Sequence, residues 1–203
     1  MLPGTIRLFP LPNVVLFPDV FLPLHIFEPR YRAMVKAALD TDRLIGMVLA
    51  RPGTETDECF PVGCAGVITH VEELDGGRYN IILRGLQKFR IIEEDGTAET
   101  PFRTASIEGI PEPAVDRGVL KDLRAQLEAL LVSSGTANFS FRLPPSMPDI
   151  EFVHALSQYF GFEAIERQAL LEMTDAAARC VALIELIEMQ VLMGSRDWSG
   201  RAN

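Results

Sequence analysis

Residues 8–31 read LFPLPNVVLFPDVFLPLHIFEPRY, a run of apolar side chains interrupted by five prolines. Proline has no N–H to donate, so within a sheet it is confined to places where pairing starts, ends or faces an edge. A flat central strand and a continuous helix are both excluded for this segment. Between the prolines, Val20, Leu22, Leu24 and Ile26 alternate with Phe21 and Phe27, so both sides of the segment are expected to be covered. The prediction is a set of short strands and turns wrapped around a tight core. Residues 8–18 have the length of a signal-peptide apolar core with Arg7 in front, but Pro10, Pro12 and Pro18 break it, and Asp19 follows in place of a small-residue cleavage site. No stretch of 18 uninterrupted apolar residues occurs, so no membrane span is expected.

From Glu28 the period changes. Pro29 suits a first helical position, and Tyr31, Met34, Val35, Ala38 and Leu39 fall at i, i+3, i+4, i+7 and i+8, which predicts one amphipathic helix ending near Asp40 and plugging the curved sheet. Strand-like segments follow at 44–50, 64–74, 78–86, 88–94 and 102–108. Asp75-Gly76-Gly77 between two of them is a hairpin signal, because glycine reaches positive φ at little cost. In the second arm Tyr79, Ile81 and Leu83 alternate with Asn80, Ile82 and Arg84, one face for a core and one partly wet. Gly85 suits a bulge or bend that starts the next strand in a new direction. Many short strands around one inserted helix imply a small, strongly curved sheet or half-closed barrel.

After the proline-rich break at 110–116 the strand pattern ends. Leu120, Leu123, Leu127, Leu130 and Leu131 mark a helix over 116–133. A second begins behind Pro148 with Asp149 as N-cap and stops at Gly161; a third covers 163–172; Thr174 or Asp175 caps a fourth that runs to Met193. The chain therefore divides into a β-rich part at 1–111, a helical part at 112–194 arranged as a four-helix bundle, and a flexible tail at 195–203 carrying Trp198, the one tryptophan.

At this point particular residues resemble a known family. The segments FPLPNVVLFPDVFLPLHIFEPRYRAMV and PVGCAGVITHVEEL-DGG-RYNIILRGLQKFRI, with RQALLEMTDAAARCVALIELIEMQ near the C-terminus, are similar to the N-terminal domain of the Lon protease family, especially its stand-alone bacterial members. LPLHIFEPRY and GLQKFRI are the most specific signals, and the resemblance spans about residues 5 to 193. It implies an α+β chain, with an N-terminal PUA-like β pseudo-barrel followed by the helical bundle. It also implies a domain that takes part in recognising unfolded or damaged substrates and in assembly. Pro12-Asn13 stands where the family usually has Arg-Asp, so contacts made there are not carried over.

The engines of the full-length protease have no counterpart in these residues. There is no G-x-x-x-x-G-K-[ST] to cradle phosphates, and none of Lys36, Lys88 and Lys121, three of 19 basic residues, has a serine placed as in a Ser-Lys dyad. The extra zinc-bearing domain of cereblon-type relatives is missing as well. A triad would need a base beside its nucleophile, and His25, His70 and His154 are the available histidines. His25, in line with Phe21, Pro23 and Phe27, reads as a satisfied structural residue, and no G-x-S-x-G elbow exists. Cys59, Cys64 and His70, with Asp57 or Glu58 nearby, lack the second close pair that a zinc site requires. Glu72-Glu73 and Glu93-Glu94 are solvated strand ends, since neighbours on a strand point to opposite faces. No catalytic residue, metal or cofactor is expected.

The net charge of −9, spread over both parts, disfavours nucleic acid and anionic membrane as partners. Arg84, Lys88 and Arg90 form the best basic cluster and carry an RNA-binding alternative, because PUA-like folds include RNA binders. Three cysteines in a chain of 203 residues read as reduced thiols in the cytoplasm. The long connection TANFSFRLPPSMP at 136–148 offers Phe139, Phe141 and Arg142 as the lip of a peptide groove; the plainer reading folds both phenylalanines onto the core. On the last helix Cys180, Leu183, Ile184, Ile187 and Val191 form one stripe, with Ala182, Leu186, Met189 and Met193 beside it. Such breadth calls for a central place in the bundle or for a second subunit. The functional expectation is a non-catalytic module that binds unfolded proteins, peptides or a protein partner such as a protease. An RNA-binding domain and a small-ligand sensor are the alternatives.

Overall fold

The proline-rich run folds into two strands, β1 (Thr5–Leu11) and β2 (Phe21–Ile26), in a computed structural model that describes residues 2–53, 58–95, 100–133, 144 and 146–192. Each proline inside a strand sits where its missing N–H is not needed. β1 pairs antiparallel with β6 (Thr104–Ile110) over Thr5 to Arg7, then parallel with β3 (Leu44–Leu49) over Leu8 to Leu11. Pro10 lies beyond the β6 pairing, and its carbonyl accepts a hydrogen bond from the Tyr31 hydroxyl at 3.1 Å. Pro23 lies in β2, the edge strand, and Pro29 is the first residue of α1 (Pro29–Leu39).

The strands run in the order β2-β5-β4-β3-β1-β6, and β5 (Arg78–Glu94) also pairs with β6, so five strands close a ring that leaves β2 outside it. The 17 residues of β5 make this possible. Its first half carries β2, its second half carries β6, and β4 (Val62–Leu74) follows both. The two strands expected at 78–86 and 88–94 are thus one strand, and the change of direction is a bulge at Leu86, where Ala65 faces Gln87 while Gly66 faces Gly85.

Gly85 is required there for space. A Cβ on it would meet the backbone carbonyl of Phe17, well inside contact distance. Gly85→Ala is therefore expected to cost more than about 2 kcal/mol in a denaturant titration; a loss below about 0.5 kcal/mol would show that the junction adjusts freely.

Two hydrophobic clusters divide the interior. Ile6, Leu8, Val48, Ala65, Phe89 and Ala105 include at least one residue from every strand of the ring and fill its inside. The larger cluster joins Phe9, Phe17, Tyr31 and Met34 to Leu120, Phe152, Leu170 and Leu183 of the helices. The expected plugging helix is corrected by this division. α1 buries Tyr31, Met34, Val35 and Ala38 in the larger cluster, because Phe89 and its neighbours already occupy the ring.

The remaining helices are α2 (Arg117–Ser133), α3 (Asp149–Tyr159), α4 (Ala164–Glu172) and α5 (Ala176–Leu192). Pro148, not Asp149, occupies the N-cap of α3, and the Asp149 carboxylate accepts from Arg124 Nη1 at 2.8 Å. Glu163 and Glu166 form a capping box on α4, and Asp175 caps α5 by accepting from the Ala178 N–H at 2.9 Å.

Helices and sheet are joined by a buried charged cluster. Lys88 Nζ lies 3.4 Å from Glu112 Oε2 and donates to the Met173 carbonyl at 2.7 Å. Arg179, fully buried, donates to Glu112 Oε1 at 3.0 Å, to His154 Nε2 at 2.9 Å and to the Leu170 carbonyl at 2.9 Å. Burial, reinforced by the Arg179 charge, drives the His154 pKa down to about 3. Burial also lowers that of Lys88.

Candidate functional site

The main chain of β2 reaches the edge through a bulge. Asp19, at φ 60°, donates its N–H to the Gly85 carbonyl at 2.9 Å, while the Gly85 N–H donates to the Val20 carbonyl at 2.9 Å. The Asp19 carboxylate accepts from Arg84 Nη2 at 3.0 Å, which fixes the corner. From there Phe21 to Ile26 run antiparallel to Arg84 to Tyr79.

The two sides of β2 differ sharply. Ile26 is buried, and Leu22 and Leu24 pack half-buried against the main core. The opposite side, Phe21, Pro23, His25 and Phe27, is open to solvent; Phe21 is 52% and Phe27 60% exposed. The expectation that both sides of the run are covered fails here for a topological reason: β2 lies outside the ring, so only one side meets the core.

This open side continues across three strands. Pro23, Ile82 and His70 stand in one row of the ladder, and His25, Asn80 and Glu72 in the next. In that second row His25 Nδ1 donates to Asn80 Oδ1 at 2.8 Å, and Asn80 Nδ2 donates to Glu72 Oε2 at 2.8 Å. Phe27 stacks on the His25 ring with centroids 6.1 Å apart. Charges at the margins are paired within the protein, Arg84 with Asp19 at 3.0 Å and Arg30 with Glu28 at 3.1 Å. A shallow depression of about 440 Å³, lined by Pro23, His25, His70, Asn80 and Ile82, occupies the middle. Phe21 and Phe27 stand at the two ends of β2 beside this depression, so the face offers exposed aromatic rings flanking a middle that mixes apolar and neutral polar groups, which suits a largely apolar partner.

The residues singled out from the sequence fare unevenly. Arg84 borders this face. Arg90 is exposed further along β5, in register with Val62 and Glu108, and Lys88 is buried against Glu112, so the three cations do not form one basic patch. Phe139, Phe141 and Arg142 lie outside the described residues. His25, read from the sequence as a satisfied structural histidine, is hydrogen-bonded to Asn80 and lies on the exposed side of β2. Cys64 is buried, its thiol pushed up to about 12 by desolvation, and six residues along the same strand, roughly 20 Å away, His70 is exposed on the open face. Cys59 accepts from Arg103 Nη1 at 3.4 Å. Among the described residues no three His, Cys, Asp or Glu side chains are placed to hold a metal ion.

On α5, Cys180, Leu183 and Ile187 are buried while Met189, Val191 and Leu192 are exposed, so the stripe is covered only as far as its last turns. Among the described residues no helix is long and apolar enough to cross a membrane. Phe21, Phe27, Ile82 and Asn80 were missed as a group, although the signal was present: a proline inside an alternating strand marks an edge, and an edge strand can leave one side uncovered.

A mixed α+β scaffold bearing an open sheet face with exposed aromatic rings has the form of a binding domain. The family model that matches is the ATP-dependent protease La (LON) substrate-binding domain, over residues 5–189. The chain belongs to this Lon substrate-binding domain family. It is 28% identical over 193 residues to Lon protease 2 of Syntrophobacter fumaroxidans, covering 87% of this chain and 23% of that one. It is also 28% identical over 208 residues to the Lon protease of Cytophaga hutchinsonii, covering 94% and 25%. The chain thus spans about a quarter of the length of the curated relatives it matches. The crystal structure of a Lon N-terminal domain protein from Xanthomonas campestris shares the fold, with a TM-score of 0.66 and 20% identity over 89% of this chain and 97% of that one.

Proposed function

We propose that this chain is a non-catalytic module that recognises exposed apolar segments of unfolded proteins through the open face of β2, β5 and β4. The observation that carries this reading is the pair Phe21 and Phe27, two large rings more than half exposed at the two ends of one strand, whereas the other described phenylalanines are buried or half-buried. Membership of the substrate-binding family supports a protein substrate. On this reading the chain is a PUA-like pseudo-barrel at 1–111 followed by a four-helix bundle at 112–194, acts in the cytoplasm, and presents what it holds to a protease or another protein partner. The exposed last turns of α5, with Met189, Val191 and Leu192, are the surface where self-association is to be sought.

Burying a phenylalanine side chain contributes about 1.5–3 kcal/mol. The double variant Phe21→Ser, Phe27→Ser is therefore expected to weaken binding of reduced, alkylated α-lactalbumin at least tenfold by fluorescence anisotropy. Both side chains are largely exposed, so the thermal midpoint is expected to move by no more than about 2 °C. Unchanged affinity in the folded variant overturns the assignment of this face.

A further inference from the structure

The outer edge of β2 offers main-chain groups as well as side chains, and we propose that the bound segment adds to it as an extended strand. This rests on the proposed function above and specifies how the substrate is held.

Three observations give the direction of the main-chain groups. The Val20 carbonyl accepts from the Gly85 N–H, so Val20 faces β5, and the alternation of an antiparallel ladder then turns Leu22, Leu24 and Ile26 toward β5 as well. Phe21, Pro23 and His25 are turned the other way. Pro23, which has no N–H, occupies one of these outward positions. The Phe21 carbonyl, outward by the same count, accepts a hydrogen bond from the Tyr159 hydroxyl of α3. The first part of the edge is therefore closed by Tyr159 and by the proline. Among the described residues, what remains open is the Pro23 carbonyl and both main-chain groups of His25, one complete pairing position between two exposed phenylalanines.

An unpaired strand edge specifies its complement, another extended polypeptide. The side chains beside this edge set the rest of the chemistry. An added strand would lay one set of its side chains against Phe21, His25 and Phe27 and the other beside the half-buried Leu22 and Leu24, so an apolar segment of low charge fits. A second copy of this chain is the competing occupant, but each copy carries a net charge of −9, which opposes close self-pairing.

The test compares His25→Pro with His25→Ala. Both remove the imidazole and its bond to Asn80; only proline removes the outward N–H, and it does so without touching the ladder to β5. The probe is a fluorescein-labelled nonapeptide of alternating valine and threonine, used alongside the same peptide N-methylated at every residue. The expected result is binding about tenfold weaker for His25→Pro than for His25→Ala, and no binding of the methylated peptide by the unaltered chain. Equal affinities for the two variants, or full binding of the methylated peptide, overturn strand addition and leave the apolar face standing. If His25→Pro fails to fold, the methylated peptide decides alone. Failure of the unaltered chain to bind either this peptide or alkylated α-lactalbumin sinks the proposed function itself. A dimer by sedimentation that His25→Pro dissociates and the peptide does not would make a second copy the occupant and overturn the proposal.

Discussion

Replacing Arg179 by alanine is expected to lower the stability of this chain by about 4 kcal/mol, because the loss of a fully buried cation leaves the Leu170 carbonyl, His154 and one oxygen of Glu112 without their donor. Its guanidinium holds the Leu170 carbonyl, Glu112 and His154 together, and Glu112 in turn faces buried Lys88. Truncation opens a cavity against Phe17, over whose ring the guanidinium carbon stands at 5.9 Å. For a chain of this size the midpoint of thermal unfolding is expected to fall by about 10 °C. Arg179→Met fills most of the volume without the hydrogen bonds, and is expected to recover only part of the loss. A measured loss below about 1 kcal/mol for the alanine variant would show that the cluster contributes little to the fold.

The second large effect is on pH dependence, through His154. Unfolded, this imidazole takes up a proton near its ordinary value of 6.5; folded, burial and the neighbouring Arg179 delay protonation to about 3. Between those values the unfolded chain binds more protons than the folded one, so stability falls as the pH drops through this window. Arg179, Lys88 and Asp19 are the charged groups that act on this ring. Between pH 6.5 and 5 the unaltered chain is expected to lose about 2 kcal/mol that His154→Gln does not lose. Glutamine keeps an acceptor for Arg179 and carries no titrating group. Denaturant titrations of both proteins at the two pH values make the comparison, and parallel losses would rule His154 out as the source.

Much of this fold is written locally. Pro29 opens α1, Asp75-Gly76-Gly77 makes the β4–β5 turn, and Asp175 caps α5, each through the chemistry of a few adjacent residues. The segment GLQKFRI, which carries much of the family resemblance, is the stretch of β5 that contains Gly85, the Leu86 bulge, buried Lys88 and ring-filling Phe89. The face beside β2 was less legible. Alternation placed Phe21, Pro23, His25 and Phe27 on one side, but whether that side meets a core depends on which strands close the ring, a matter of pairing between residues far apart in the chain. Lys88 illustrates the same limit: an exposed-looking cation in a strand is buried because Glu112, from the connection into α2, comes to meet it.

The pairing of Thr5 to Arg7 with Thr104 to Ser106 sets an order of events during synthesis. β1 emerges first, yet the partner that completes its ring is made about 100 residues later, a contact of high sequence separation and slow formation. At 5–20 residues per second the ribosome leaves that strand waiting for roughly 5–20 s. Until β3 and then β5 have been made, the apolar run at 8–31 lacks its strand partners and is an uncovered segment of an unfolded chain. The prolines that position it in the finished sheet also make it a poor template for other strands while it waits. A nascent molecule of this protein is thus, for some seconds, a specimen of the very class of chain that its folded form is proposed to hold.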